Sequence, residues 1–303
     1  MADAKLTLGP VYALWDGPKW RDFYFRIADE APVDRVVVGE TVCSKRQHFT
    51  EPHLAEVIER LEAAGKEVII STYALVTLPR EIKQVRETAE GSPYPVEAND
   101  LSALNFLKDR PHTVGPLVNV YNAPTARVLK SRGATAICLP PELPLTSIEA
   151  IATGNPGVEL EVFAFGRMPL AISARCAHAR SKGKIKDNCQ FVCGDDPDGL
   201  AVKTLDHQPF LVLNGVQTVS HTCQSLVGEL GALQTAGISR FRLSPQDCDM
   251  VAVALTYRAV LDGKLSAENA LAELKAIYPA APLSNGFLHG REGAAYIAAA
   301  RSA

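Results

Sequence analysis

The feature that most constrains this chain is a rhythm: short β-branched runs alternate with longer amphipathic segments through most of its length. The runs lie at 5–8, 35–38 (RVVV), 67–71 (EVIIS), 94–97, 114–120, 136–139 (AICL), 160–165 (LEVFAF) and 239–243 (SRFRL). Helix-like segments fall at 18–29, 52–64, 79–89, 99–108, 123–132, 146–152 and 224–235. Many open on a capping residue or an early proline, and Gly65 and Gly133 stand where glycines close helices. Eight strands in βα alternation point to a parallel sheet with helices outside it. Eight such units favour an α/β fold closed into a TIM-like (β/α)8 barrel, with an open doubly wound sheet as the alternative.

The rhythm breaks once. About 70 residues separate the seventh run, ending near Gly166, from the eighth, starting near Ser239. We therefore read 1–303 as a single barrel domain and 168–238 as an inserted segment near the seventh and eighth strands, on the C-terminal face where such folds keep their chemistry. Within it PFLVLNGVQTVS at 209–220 reads as an additional strand, and VKTL before it as a hairpin partner. Polar residues collect after the strands, among them Glu40, Asn122, Glu142, Arg167 and Arg242. A ring of such side chains at a barrel mouth suits a small polar substrate. Arg167, Arg175 and Arg242 are candidates to grip a carboxylate bidentately, although paired structural charges serve equally well as an explanation. Ser71, Thr72, Asn99 and Asp100 serve equally as helix caps.

Composition narrows the class. At 47% hydrophobic and 21% charged residues the chain is of ordinary soluble globular type. No apolar run approaches the roughly 18–20 residues needed to span a bilayer, so it is not expected to be an integral membrane protein. The start, MADAKLTLGPVYALWDG, lacks a basic n-region and a long apolar segment, and a cytoplasmic location is expected. A net charge of −3 gives no global pull toward nucleic acid, and no stable nucleic-acid binding is expected.

In a reducing compartment seven cysteines read as metal ligands or reactive groups rather than disulfides. Cys176, Cys189 and Cys193 follow a C-x12-C-x3-C pattern, and Cys43 in VGETVCSKR lies just beyond the second strand. On the barrel reading all four share one face. Four thiolates bind either zinc or an iron–sulfur cluster. Arg175, Arg180, Lys182, Lys184 and Lys186, with Lys45 and Arg46, would offset part of the negative charge of either, so charge does not decide between them. Cys138, Cys223 and Cys248 read as small buried apolar residues. There is no C-x3-C-x2-C run, no phosphate-binding glycine loop and no H-E-x-x-H.

Nine stretches then carry a resemblance: GETVCSKR (39–46), ISTYALV (70–76), VEANDLSALN (96–105), LVNVYNAPTA (117–126), LPPEL (139–143), FGRMPLAISARCAHAR (165–180), DNCQFVC (187–193), VLNGVQTVS (212–220) and FRLSPQ (241–246). Together, in order and over nearly the whole chain, they resemble the family historically labelled peptidase U32, in its branch for oxygen-independent ubiquinone biosynthesis. The resemblance implies a [4Fe–4S] cluster on Cys43, Cys176, Cys189 and Cys193. It also implies a heterodimer with a UbiU-like protein, a UbiT-like lipid-binding accessory protein, and hydroxylation of the ring of an isoprenylated aromatic substrate without O2. A related branch hydroxylates a tRNA uridine with prephenate as oxygen source. That makes prephenate a candidate donor and tRNA modification an alternative function. Peptidase activity, suggested by the family label, is a further alternative.

Overall fold

We describe residues 4–154 and 157–298 of a computed structural model of the chain. Seven strands follow one another as parallel neighbours: β1 (Lys5–Leu8), β2 (Arg35–Val38), β3 (Glu67–Ser71), β4 (Val96–Ala98), β5 (His112–Val114), β6 (Ala134–Leu139) and β7 (Glu159–Ile172). Five more come later: β8 (Leu200–Lys203), β9 (Pro209–Asn214), β10 (Gln217–Ser225), β11 (Arg240–Leu243) and β12 (Leu283–Ser284). Of these β11 closes the ring. It runs parallel to both β7 and β1, with Arg242 opposite Phe163 on one side and Thr7 on the other. The result is the closed eight-stranded α/β barrel expected from the alternation.

Helices α1 (Gly17–Glu30), α2 (Gln47–Ala63), α3 (Pro79–Gly91), α4 (Leu101–Phe106), α5 (Ala123–Ser131) and α6 (Leu145–Gly154) connect successive strands. The first shows why they form. Asp16 accepts a hydrogen bond from Lys19 N at 2.8 Å, Pro18 sits in the first turn, and Trp20, Tyr24 and Ile27 recur on the face packed against the barrel. Each such side chain contributes about 1.5–3 kcal/mol by burial. Helices α7 (Ala177–Ser181), α8 (Leu230–Thr235), α9 (Met250–Leu261) and α10 (Ala267–Ile277) complete the chain. No helix among the described residues is long and apolar enough to cross a membrane.

The barrel interior is polar at its centre. Arg242, 2% exposed, donates from Nε to Glu161 Oε2 at 2.8 Å and from Nη1 to Glu97 Oε1 at 3.1 Å, and its Nη2 also meets Glu97 Oε2. Three strands, β4, β7 and β11, are thus tied across the lumen by charge. Burial favours the neutral form of Glu161, but Arg242, Arg35, Thr7 and Arg240 together outweigh it and hold the carboxyl below the usual range.

Four details differ from the sequence expectations. Residues 116–118 form a 3-10 turn rather than part of a strand, because Pro116 cannot donate to a ladder and Asn119 turns the chain at φ +62. Helix α2 starts five residues before the expected Pro52, which lies inside it. The segment 209–220 is two antiparallel strands, β9 and β10, that reverse at Gly215 and Val216. The helix expected at 224–235 is only α8, since Gln224 and Ser225 belong to β10.

Candidate metal centre

Strand β7 does not stop at the rim of the barrel. Gly166, at φ +127, lets it run on to Ile172 as the antiparallel partner of β10, which pairs in turn with β9, and β9 with β8. This small antiparallel sheet stands over the C-terminal ends of the barrel strands and carries α7 beside it. The loop after β2 rises to meet it.

That loop is shaped from within. Glu40 Oε1 accepts from Val42 N at 2.7 Å and Cys43 N at 2.9 Å, and Thr41 Oγ1 lies 2.6 Å from Ser71 Oγ. Cys43 is left facing inward at the start of the 3-10 turn Ser44–Arg46. Cys176 caps α7, its Sγ accepting from Ala179 N at 3.3 Å. Cys189 follows the short turn Lys186–Asn188, and Cys193 lies in the turn Val192–Asp195. Between these two, Gln190 and Phe191 both adopt left-handed backbone, at φ +49 and +55. Non-glycine residues rarely do so, and the cysteines on either side of the pair, Cys189 and Cys193, line the same pocket. Phe191 is anchored edge-on against His48 and Phe49, with ring centroids 4.9 and 5.0 Å away.

Cys43, Cys176, Cys189 and Cys193 line one pocket with Arg46, Phe191, Val192, Ala179, Gly215 and Val216, and its exposed lining is almost wholly apolar. None of the four is in a disulfide. Burial pushes the Cys43 and Cys176 thiols up; Arg46 opposes this at Cys43, and the Ala179 N–H opposes it at Cys176. No set of three or more His, Cys, Asp or Glu side chains among the described residues is arranged to hold a single metal ion.

Arg46 is the buried cation beside these sulfurs, with Lys45 and Lys186 also on the pocket's lining. It is 1% exposed, donates from Nη1 to Tyr12 O at 2.8 Å and from Nη2 to Asn214 Oδ1 at 2.9 Å, and its Nε has no hydrogen-bond partner. Burial works against its charge, but Cys193, Glu40 and Cys43 outweigh burial and hold the guanidinium protonated. A buried donor without an acceptor costs about 1–3 kcal/mol, which an anion in the pocket would relieve. The donor set, the unsatisfied guanidinium and the apolar walls fit a thiolate-held inorganic group. Gly215 makes the close approach possible: at φ +64 it lies against Arg46, where any Cβ would collide with Nη2.

The other candidate residues sit elsewhere. Glu40 is an organiser of the Cys43 loop. Asn122 caps α5, its Oδ1 accepting from Thr125 N and Oγ1 at 2.9 Å each. Glu142 accepts from the Tyr121 hydroxyl at the rim. Arg167 donates to Ser220 O, His221 O and, at 2.8 Å, Asp198 Oδ2. Arg242 is committed to the two glutamates of the lumen. Arg175 is exposed and lines a cleft beside the cysteine pocket. His178, whose structural role has no signal in the sequence, locks the site: Nε2 lies 3.0 Å from Asp196 Oδ2, and Nδ1 accepts from Gly215 N at 3.3 Å.

Several solved structures match over most of the chain at low similarity. A phospho-2-dehydro-3-deoxyheptonate aldolase from Thermotoga maritima is 11% identical, with 93% of this chain and 72% of that one covered and a TM-score of 0.42. A glycoside hydrolase family 5 enzyme from Prevotella bryantii gives 8%, 88%, 96% and 0.43, and the tryptophan synthase complex of Pyrococcus furiosus 9%, 90%, 96% and 0.40. Likeness at this level says nothing about chemistry. The sequence itself is more specific, because the profile described as peptidase family U32 matches residues 23–297. The chain belongs to peptidase family U32.

Proposed function

We propose that this chain is a UbiV-like iron–sulfur protein in which Cys43, Cys176, Cys189 and Cys193 hold a [4Fe–4S] cluster. On this reading it acts as a heterodimer with a UbiU-like partner, with a UbiT-like lipid-binding protein as accessory. The reaction is O2-independent hydroxylation of the aromatic ring of an isoprenylated ubiquinone precursor, and the setting is cytoplasmic. The observation that carries the reading is the meeting of four thiols, from three separate stretches of chain, around one apolar pocket beside Arg46. A zinc ion with bonds of about 2.3 Å needs its four sulfurs roughly 4 Å apart. No group of three or more His, Cys, Asp or Glu side chains arranged for a single metal ion is found among the described residues, and a first ligand as far along the chain from the others as Cys43 suits a larger inorganic group.

When bound, such a group supplies electron transfer. The chain's own residues then do the rest. Arg46 balances the negative charge of the thiolates and offers its free Nε–H. Ala179 N–H steadies the Cys176 thiolate, Glu40 fixes the backbone that presents Cys43, and Phe191 and Val192 keep water from the pocket. Peptidase chemistry finds no support here. A cysteine nucleophile needs a histidine nitrogen free to take its proton, whereas both nitrogens of His178 are engaged by Asp196 and Gly215.

The test is anaerobic purification followed by iron, sulfide and zinc analysis and a visible spectrum, for wild type and for Cys176→Ala. Broad charge-transfer absorption and about four irons per chain are expected in the wild type only. A colourless protein with stoichiometric zinc overturns the reading. In cells, loss of the gene should stop ubiquinone formation under anaerobiosis and leave it normal in air.

A further inference from the structure

A cavity of about 400 Å³ opens beside the cysteine pocket, and Lys45, Cys176 and Lys186 belong to the linings of both. A partner seated over the cavity therefore lies against one of the four sulfurs. Five cations line it, Lys45, Arg80, Arg175, Arg180 and Lys186, against two carboxylates, Glu81 and Asp187. Glu81 is turned inward: it is buried and accepts from Ser44 Oγ at 2.6 Å, Thr77 N at 2.7 Å and Leu78 N at 3.0 Å. Lys45 donates to Lys186 O at 2.7 Å, whereas the side chains of Arg80, Arg175, Arg180 and Lys186 form no ion pair among the described residues. The three arginines come from two separate pieces of chain, the start of α3 and the stretch around α7, and all three are exposed.

Cations held together without partners repel one another, and an anionic surface laid over them relieves that repulsion. Charge compensation for the thiolates does not account for the patch. Arg46 serves that purpose from inside the cysteine pocket, and Arg80, Arg175 and Arg180 line the cavity without lining that pocket. A cleft lined by one sign of charge focuses its field and speeds encounter with an oppositely charged partner, here on a chain whose net charge is −3. The lining also separates the kinds of partner. Single-stranded RNA stacks its bases on aromatic side chains, and none lines this cavity. A lipid surface takes up a protruding apolar face, whereas these cations stand on a concave wall. A permanent subunit contact is larger and more apolar. An acidic protein that docks briefly needs only complementary charge over a small area, as transient redox encounters do.

We propose that this face is the docking surface for a soluble, acidic one-electron carrier protein, which exchanges with the chain rather than staying as a subunit and delivers its electron on the Cys176 side of the thiol pocket. The carrier is oxidised by one electron and the centre is reduced by one, with no covalent bond made or broken. The electron step rests on the iron–sulfur reading above; the docking does not. The test uses the anaerobically purified full chain, with a plant-type [2Fe–2S] ferredoxin as the acidic probe. Calorimetry should give saturable binding that weakens about tenfold or more as the screening length shrinks from about 30 Å at 0.01 M salt to about 8 Å at 0.15 M. Arg80→Glu and Arg175→Glu, both at exposed positions, should each weaken binding about tenfold or more. Stopped-flow absorbance should show reduction of the chain by reduced ferredoxin slowed by a similar factor in both. Lys264→Glu, in the loop after α9 and outside the cavity, should change neither, and a basic cytochrome c should not bind. Binding that salt and both arginine variants leave unchanged overturns the proposal. So does an RNA oligonucleotide or an anionic phospholipid vesicle that covers the arginines and that ferredoxin does not displace. An iron-loaded chain that fails to bind ferredoxin removes the docking and leaves the cluster standing, whereas an iron-free chain that binds it does the reverse.

Discussion

Arg46 Nη2 donates to Asn214 Oδ1 at 2.9 Å, joining the loop after β2 to the tip of the β9–β10 hairpin across 168 residues of sequence. Asn214 Nδ2 in turn donates to Tyr12 O at 2.7 Å, the same carbonyl that Arg46 Nη1 reaches. One buried guanidinium therefore fixes the first loop of the barrel, the Cys43 loop and the insertion relative to one another. Cys43 belongs to one of these pieces and the other three cysteines to another, so the shape of the thiol pocket depends on this joint.

Replacing Arg46 by alanine removes the joint and leaves Asn214 and the Tyr12 carbonyl short of partners in a buried site. We expect a loss of about 3 kcal/mol or more in urea unfolding of the metal-free protein. Arg46→Lys keeps the charge but cannot reach both acceptors at once, and should lie between. A variant as stable as wild type would mean that the insertion is held by other contacts.

Gly215→Ala tests the close approach separately. The substitution strains a backbone at φ +64 and drives a methyl into Arg46, which together should cost about 2–4 kcal/mol. Gly183 has a similar φ of +69 but nothing within 4 Å of a built Cβ. Gly183→Ala should therefore cost only about 1 kcal/mol, the left-handed penalty alone. Equal losses in the two variants would show that the crowding against Arg46 is unimportant.

How far the sequence reaches can be judged at particular residues. The barrel is legible because RVVV, EVIIS and AICL recur between helical segments, and that local pattern leaves few topologies. The apolar LVNV at 117–120 looks as strand-like as any of them, and only Pro116 and the left-handed Asn119 make it a turn. The convergence of Cys43 with the other three cysteines follows from shared strand ends, a property of the barrel. The roles of Arg242 and Arg46 are not legible in this way. Both are arginines near the C-terminal ends of strands, yet one ties glutamates inside the lumen and the other backs the thiol pocket. That difference depends on which way each side chain points and on partners 34 to 168 residues away. Gly215 is the one overlooked local signal, since a glycine between two apolar runs marks a tight hairpin, here the turn Gly215-Val216, and so the end of β9.

Thiol reactivity should separate the two groups of cysteines in metal-free protein. Cys189 and Cys43 are partly exposed, whereas Cys138 and Cys223 are 2% and 0% exposed and burial pushes both thiols far up. Cys248 is pushed up to about 12, by burial first and then by Asp198. A disulfide reagent at pH 8 should label Cys189 and Cys43 first and reach Cys138 and Cys223 only in denaturant. Mass spectrometry of the labelled peptides gives the order. Rapid labelling of Cys138 or Cys223 in the native state would contradict the buried placement.

The lumen triad should set the acid limit of the fold. Arg242→Met removes a fully buried cation and leaves Glu97 and Glu161 facing each other without it, at a cost of about 3–5 kcal/mol at neutral pH. The pH dependence gives the sharper test. In the wild type burial pushes the Glu161 carboxyl up, and Arg242, with Arg35, Thr7 and Arg240, outweighs burial and holds it below its ordinary value. A carboxyl depressed in the folded state adds stability that is fully present above its unfolded pKa of about 4.3 and is lost as pH falls through its folded value. Without Arg242 burial acts unopposed by this cation and raises the carboxyl instead, so acidification from pH 7 toward 5 should stabilise the variant relative to wild type. Urea unfolding from pH 7 to 4 should therefore show the gap between the two proteins narrowing as pH falls. A constant gap across that range would mean that Arg242 contributes shape to the barrel but not charge.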